Sequence, residues 1–103
     1  MPGIPDVLIC DEEGRFHFVE LKSTGGNAVD LRPHQVAFMS RHAHASVWIL
    51  VRKVRTETLP QRIYLYRAES AMDLKLHGLK VPPVFFVEGD PPWEELFGLI
   101  API

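Results

Sequence analysis

The chain has 103 residues, 47% of them hydrophobic and 23% charged, and a formal net charge of −2. That is the size and composition of one soluble globular domain with a thin stability margin. A lone cysteine, Cys10, excludes an internal disulfide framework and a cysteine zinc cluster. No apolar run reaches membrane-spanning length and no signal peptide opens the sequence, so a cytoplasmic protein of a bacterial, archaeal or phage-infected cell is expected, with no membrane partner.

Residues 4–10 (IPDVLIC) read as a short apolar strand, and 11–15 (DEEGR) as a turn in which Gly14 takes positive φ. Residues 16–22 (FHFVELK) form a second strand rich in aromatic and β-branched positions. The loop STGGNAVD leads to Pro33, which suits the first turn of a helix running to about residue 43. On that helix Gln35, Phe38, Met39 and His42 share a face by the i, i+3, i+4, i+7 rule. Residues 47–53 (VWILVRK) read as a buried central strand. Residues 62–68 form another strand with Tyr64 and Tyr66 on one face, and 69–77 a short helix. Beyond Val81 the pattern is broken by Pro82-Pro83 and Pro91-Pro92. VFFVEG is an edge strand between them, and Asp90 caps a last helix, PPWEELFGLI. The order β-β-α-β-β-α plus a tail implies an α/β layer with a mixed sheet, in one domain over 1–103 with a core at about 3–77 and a tail at 78–103.

Charge is unevenly distributed. Residues 32–67 hold Arg32, Arg41, Arg52, Lys53, Arg55, Arg62 and Arg67 against Glu57 alone, with His34, His42 and His44 added, while both flanking thirds are acidic. Such a block can steer a polyanion to one face of a slightly acidic protein. A solvated charged surface is the plainer reading of any such run.

Strand parity brings chemistry together. A hairpin closed by residues 11–15 pairs Cys10 with Phe16, and the same register pairs Asp6 with Glu20. Lys22 lies on the same face as Glu20, as do Phe16, Phe18, Leu8 and Ile4, the expected core face. Two crowded carboxylates repel, and a divalent cation with oxygen preference resolves the conflict. Mg²⁺ or Mn²⁺ held there would polarise a phosphodiester and acidify a bound water. Lys22 could orient that water or offset charge at phosphorus. Gln35, on the following helix, could hold the lysine, the water or a phosphate. A surface ion pair at a frayed hairpin end is the bland alternative. Cys10, Trp48 and Trp93 read as packing residues.

With those residues in hand, Gly3-Ile4-Pro5-Asp6 followed by Val19-Glu20-Leu21-Lys22 resembles the G-x-P-D…E-x-K signature of PD-(D/E)xK nucleases. Leu31-x-Pro33-x-Gln35 and Val51-Arg52 are similar to later segments of the virus-type replication-repair nuclease (VRR-NUC) branch, with archaeal Holliday-junction resolvases sharing the core. The resemblance covers roughly residues 3–53. It implies a restriction-endonuclease-like mixed sheet with flanking helices and a DNA-cleaving, DNA-repair activity on branched or flapped substrates. It further implies Asp6, Glu20 and the Leu21 carbonyl as metal ligands, Lys22 as the catalytic lysine, and Gln35 as an accessory residue. The family's opening helix has no counterpart before Gly3, so the tail or a partner is expected to replace it.

The resulting expectation is an Mg²⁺- or Mn²⁺-dependent endonuclease with no small-molecule cofactor, binding DNA through Arg32, His34, Arg41, Arg52 and Lys53. It is expected to be a homodimer with residues 81–103 at the interface. The same residues on the tail folding back over their own sheet are the competing expectation. The competing functions are a non-catalytic nucleic-acid-binding module and a protein-interaction subunit with the same fold.

Overall fold

The computed structural model describes residues 5–102. Five strands form one sheet in the order β1 (Val7–Cys10), β2 (Phe16–Thr24), β3 (Val47–Lys53), β4 (Arg62–Arg67) and β5 (Phe85–Glu88). β2 and β3 are parallel, and every other neighbouring pair is antiparallel. A parallel pair needs a long crossover, and helix α1 (Pro33–Arg41) supplies it. Helix α2 (Ala71–His77) follows a short 3₁₀ turn after β4, and α3 (Trp93–Ile100) follows β5. The molecule is therefore a small α/β domain with a mixed sheet and helices on both faces.

The apolar run of β3 is explained by this double cover. Its alternate residues Val47, Ile49 and Val51 pack with Val36 and Met39 of α1 and Ala71 and Leu74 of α2. Trp48 turns the other way and, with Val19 and Leu65, is covered by Leu96 and Ile100 of α3. The segment from residue 81 onward thus supplies both an edge strand and a helix that lies on the chain's own sheet.

The hairpin register is the expected one, Cys10 opposite Phe16 and Val7 opposite Val19. Asp11 builds its turn. One carboxylate oxygen accepts the Glu13 and Arg15 backbone N–H groups, both at 2.9 Å, and Gly14 takes φ 80°. Parity holds, but the expected cover does not. Leu8 is 54% and Phe16 58% exposed, and Cys10 is exposed rather than a core residue. α1 and α2 centre on β3 and β4 and reach only as far as Phe18. Gly3, Ile4 and Ile103 lie outside the described residues.

Two helix details differ from the sequence reading. Val36, not Gln35 or His42, joins Met39 in burial on α1. The last helix starts at Trp93 with Pro92 at its cap, so Asp90 does not cap it. Gly78 ends α2 at φ 63°, and a Cβ there would overlap the Asn27 backbone carbonyl, which accepts the Leu79 N–H at 2.8 Å. This contact holds the loop after β2 against the α2 side.

Candidate functional site

β2 carries the site at its C-terminal half. Glu20 and Lys22 project to the α1 side, Ile49 and Val51 of β3 standing beside them in the register. Glu20 is 2% exposed, deep for a carboxylate. Gln35 organises what surrounds it. Its amide nitrogen donates to Glu20 Oε2 at 3.2 Å, while its oxygen accepts from Lys22 Nζ at 3.0 Å and from the Arg32 backbone N–H at 3.0 Å. Two donors on the oxygen and a carboxylate on the nitrogen fix the amide in one orientation. Pro33 at the first helical position and the Arg32 N–H contact set the start of α1, and through it the place of Gln35. Lys22 Nζ also lies 3.7 Å from Glu20 Oε2.

The other Glu20 oxygen, Oε1, is buried with no hydrogen-bond partner among the described residues. Leaving such an atom unpaired costs about 1–3 kcal/mol, more for a charged group. Burial pushes the Glu20 carboxyl up to about 7, the adjacent Asp6 carboxyl adds to the rise, and Lys22 opposes it. Asp6 is exposed, and its Oδ2 accepts the Leu21 backbone N–H at 3.2 Å.

That last bond also fixes the direction of a backbone carbonyl. In an extended strand the N–H and C=O of one residue point to the same neighbour, so the Leu21 carbonyl faces the Asp6 side too. Continuing the hairpin register two residues beyond Val7–Val19 sets Pro5 opposite Leu21. Proline has no N–H, so the ladder cannot occupy the Leu21 carbonyl at that position. Asp6, the unpartnered Glu20 oxygen and the Leu21 carbonyl are hard-oxygen donors, the kind that suits Mg²⁺ or Mn²⁺. Among the described residues no group of three or more histidine, cysteine or carboxylate side chains converges, so a cation here would rest on two carboxylates, that carbonyl and water.

The residues expected to bind DNA are divided. Arg32 and His34 are exposed at the start of α1, next to Gln35. Arg41 is exposed in the last turn of the same helix, about 9 Å beyond Gln35 along its axis. Lys53 donates to Asn27 Oδ1 at 2.8 Å. Alternation along β3 sends Arg52 to the α3 side, where its Nε donates to Gln61 at 2.9 Å. Arg67 is also diverted, lying 4.7 Å over the Trp48 ring. The basic block of the sequence is therefore not one face of the fold.

A second polar cluster escaped the sequence reading. His17 is 5% exposed, with Nδ1 2.6 Å from Ser46 Oγ and Nε2 2.9 Å from Asp11 Oδ2. Trp48 Nε1 donates to the same Ser46 oxygen at 2.9 Å. The connectivity is that of a nucleophile relay, but the hydroxyl is engaged by the protein itself and closes against the Ile100 carbonyl. It pins the hairpin, the start of β3 and the end of α3. The available signal was a histidine whose same-face neighbours two and four residues along, Val19 and Leu21, are apolar. Trp93 also differs from the sequence reading: Trp48 packs as expected, at 4% exposure, but Trp93 is 51% exposed.

No family model, curated protein or solved structure matches this chain. No helix among the described residues is long and apolar enough to cross a membrane.

Proposed function

We propose that the protein is a metal-dependent endonuclease of the PD-(D/E)xK type, with a restriction-endonuclease-like sheet, that hydrolyses DNA phosphodiester bonds. The observation that carries the reading is the buried Glu20 carboxylate. One oxygen is tied to Gln35 and Lys22, and the other is buried without a partner, with the Asp6 carboxyl adjacent to the group. A divalent cation bound there would supply a Lewis acid for the scissile phosphate and an acidified water. Asp6 and Glu20 hold that charge, Lys22 places its ammonium where negative charge grows at phosphorus, and Gln35 keeps the ammonium aimed by accepting from it. Arg32 and His34 meet the phosphates next to the site. The exposed apolar residues Phe97 and Leu99 of α3 are where a homodimer contact would form.

The test is cleavage of linear, flapped and four-way DNA with and without Mg²⁺ or Mn²⁺. Metal-dependent cleavage lost in Asp6→Asn, Glu20→Gln and Lys22→Ala is the expected result. Cleavage that survives EDTA, or none on any substrate with either metal, refutes it.

A further inference from the structure

Helix α2 lies outside the candidate site, yet one of its side chains is joined to that site through a single peptide unit. Lys75 Nζ donates to the Leu31 backbone carbonyl, 44 residues back along the chain. The N–H of the same peptide unit, that of Arg32, donates to Gln35 Oε1 at 3.0 Å, and this oxygen also accepts from Lys22 Nζ at 3.0 Å. We propose that Lys75 is a positioning residue for Lys22 and Glu20, acting through the Leu31–Arg32 peptide and the Gln35 amide. The assignment rests on the nuclease reading of the Asp6–Glu20 site.

Three observations carry this role. First, the peptide bond is planar, so its C=O and N–H point in opposite directions across one rigid unit. A donor that fixes the Leu31 carbonyl therefore also fixes where the Arg32 N–H points. Leu31 is fully buried, and a buried carbonyl requires a partner. An ammonium makes a hydrogen bond roughly twice as strong as a neutral donor does. Second, the Arg32 N–H anchors the Gln35 amide from outside the site. Arg32 is the N-cap of α1, extended at φ −76° and ψ 155°, and Gln35 is the third helical residue reaching back to it. With that N–H out of line, the amide is held only by the two groups it places, Lys22 and Glu20. Third, Lys75 projects from a fixed platform. Ala71 and Leu74 of α2 are buried in the core, and beyond the helix the Leu79 N–H donates to the Asn27 carbonyl at 2.8 Å. Lys75 itself is exposed, so its substitution leaves that packing in place.

The experiment uses the full chain. Lys75→Met keeps an apolar stem and removes the charged donor, while Lys75→Arg keeps a charged donor. Amide hydrogen exchange of the metal-free protein is followed residue by residue by NMR. Exchange at Arg32 should be about three- to tenfold faster in Lys75→Met, the scale of one weakened hydrogen bond, and close to the parent in Lys75→Arg. Exchange at Leu79, which reports the docking of α2, should not change. With Mn²⁺ present, Lys75→Met should lower kcat about tenfold, a modest misplacement of the catalytic groups. The KM for DNA and the Mn²⁺ midpoint should stay as in the parent, because no group that meets DNA or metal is removed. In a Gln35→Ala background Lys75→Met should cost nothing further, as two residues acting along one path require. Unchanged exchange at Arg32 overturns the proposal. So does equal loss of protection at Leu79, which would mean that α2 has left the sheet, or a fully additive loss of kcat in the Gln35→Ala background. If the parent cleaves DNA and Lys75→Met matches its kcat, the positioning role fails alone. If no form cleaves DNA with either metal, the nuclease reading fails, and exchange at Arg32 still decides whether Lys75 holds Gln35.

Discussion

One hairpin carries two carboxylate sites, and they are opposites. At the turn end, Asp11 accepts from two backbone N–H groups, from Arg15 and from His17. The His17 hydrogen bond, with those backbone bonds, holds the Asp11 carboxyl down at about 2. At the open end, burial lifts Glu20 to about 7 beside a second acid, with one oxygen unpartnered. A carboxylate whose lone pairs are all engaged by the protein serves the fold. One that is buried, crowded and incompletely engaged costs stability until something binds it, and such sites are where chemistry is found.

The sharpest way to separate the two ends is to neutralise each. Asp6→Asn, Glu20→Gln and Lys22→Ala should each lower cleavage about 100-fold or more, the scale of a lost charge-positioning or proton-transfer group. Asp11→Asn should leave turnover within a few-fold. Turnover numbers on one DNA substrate decide it, and full activity in any of the first three removes that residue from the site.

Stability should respond in the reverse sense. His17→Ala removes one hydrogen-bond partner from each of the Asp11 carboxylate and the Ser46 hydroxyl, a loss of about 1–3 kcal/mol. For a domain of this size that is about 4–8 °C in Tm per kcal/mol. A Tm equal to that of the parent would mean the buried network is idle.

The pH dependence differs in sign between the ends. Asp11 is depressed from 3.8 to about 2, so its contribution is present above pH 3.8 and is lost as pH falls through about 2. Glu20 is raised from 4.5 to about 7, so its protonated form favours the fold fully below pH 4.5, and that advantage is lost as pH rises through about 7. In chelator, Tm should therefore decline from pH 5 to pH 8. Glu20→Gln should flatten the decline and melt higher at pH 8, and millimolar Mn²⁺ should restore stability at pH 8 only to the protein that retains Glu20. Identical profiles for the two proteins would break the comparison at its acidic centre.

The smallest effect concerns the cations. Reversing Arg32, next to Gln35, should weaken DNA binding and flatten its salt dependence by about one unit of log–log slope, as one lost phosphate contact does. Reversing Arg41, further along α1, should change the slope less. Equal changes would put both on the DNA path.

Much of this was legible in the sequence because strand alternation is rigid. The Cys10–Phe16 pairing and the convergence of Asp6, Glu20 and Lys22 follow from turn length and parity alone. Alternation says which residues share a face, but not whether another layer covers it. Leu8 and Phe16 are on the same face as Glu20, as expected, and are open to solvent. The basic block was misleading for the same reason: adjacent Arg52 and Lys53 in β3 point to opposite sides. Gln35 could be named as an accessory residue, but its role as the single amide joining Lys22, Glu20 and the Arg32 N–H depends on where α1 sits over the sheet, which no local pattern specifies. His17 was missed because the partners that make it buried and satisfied, Asp11 and Ser46, lie 6 and 29 residues away.

The lid on the second core is also made late. Val19, Trp48 and Leu65 belong to strands synthesised well before Leu96 and Ile100, which bury them. During translation one whole face of the sheet stays without its cover while the ribosome adds the intervening residues, at about 5–20 residues per second. Through that interval the nascent chain presents a sticky, half-finished surface to its neighbours. A ribosome stalled or a message cut before the Trp93 codon would release a chain with the candidate site residues already made and an apolar sheet face exposed, a species for chaperones and proteases.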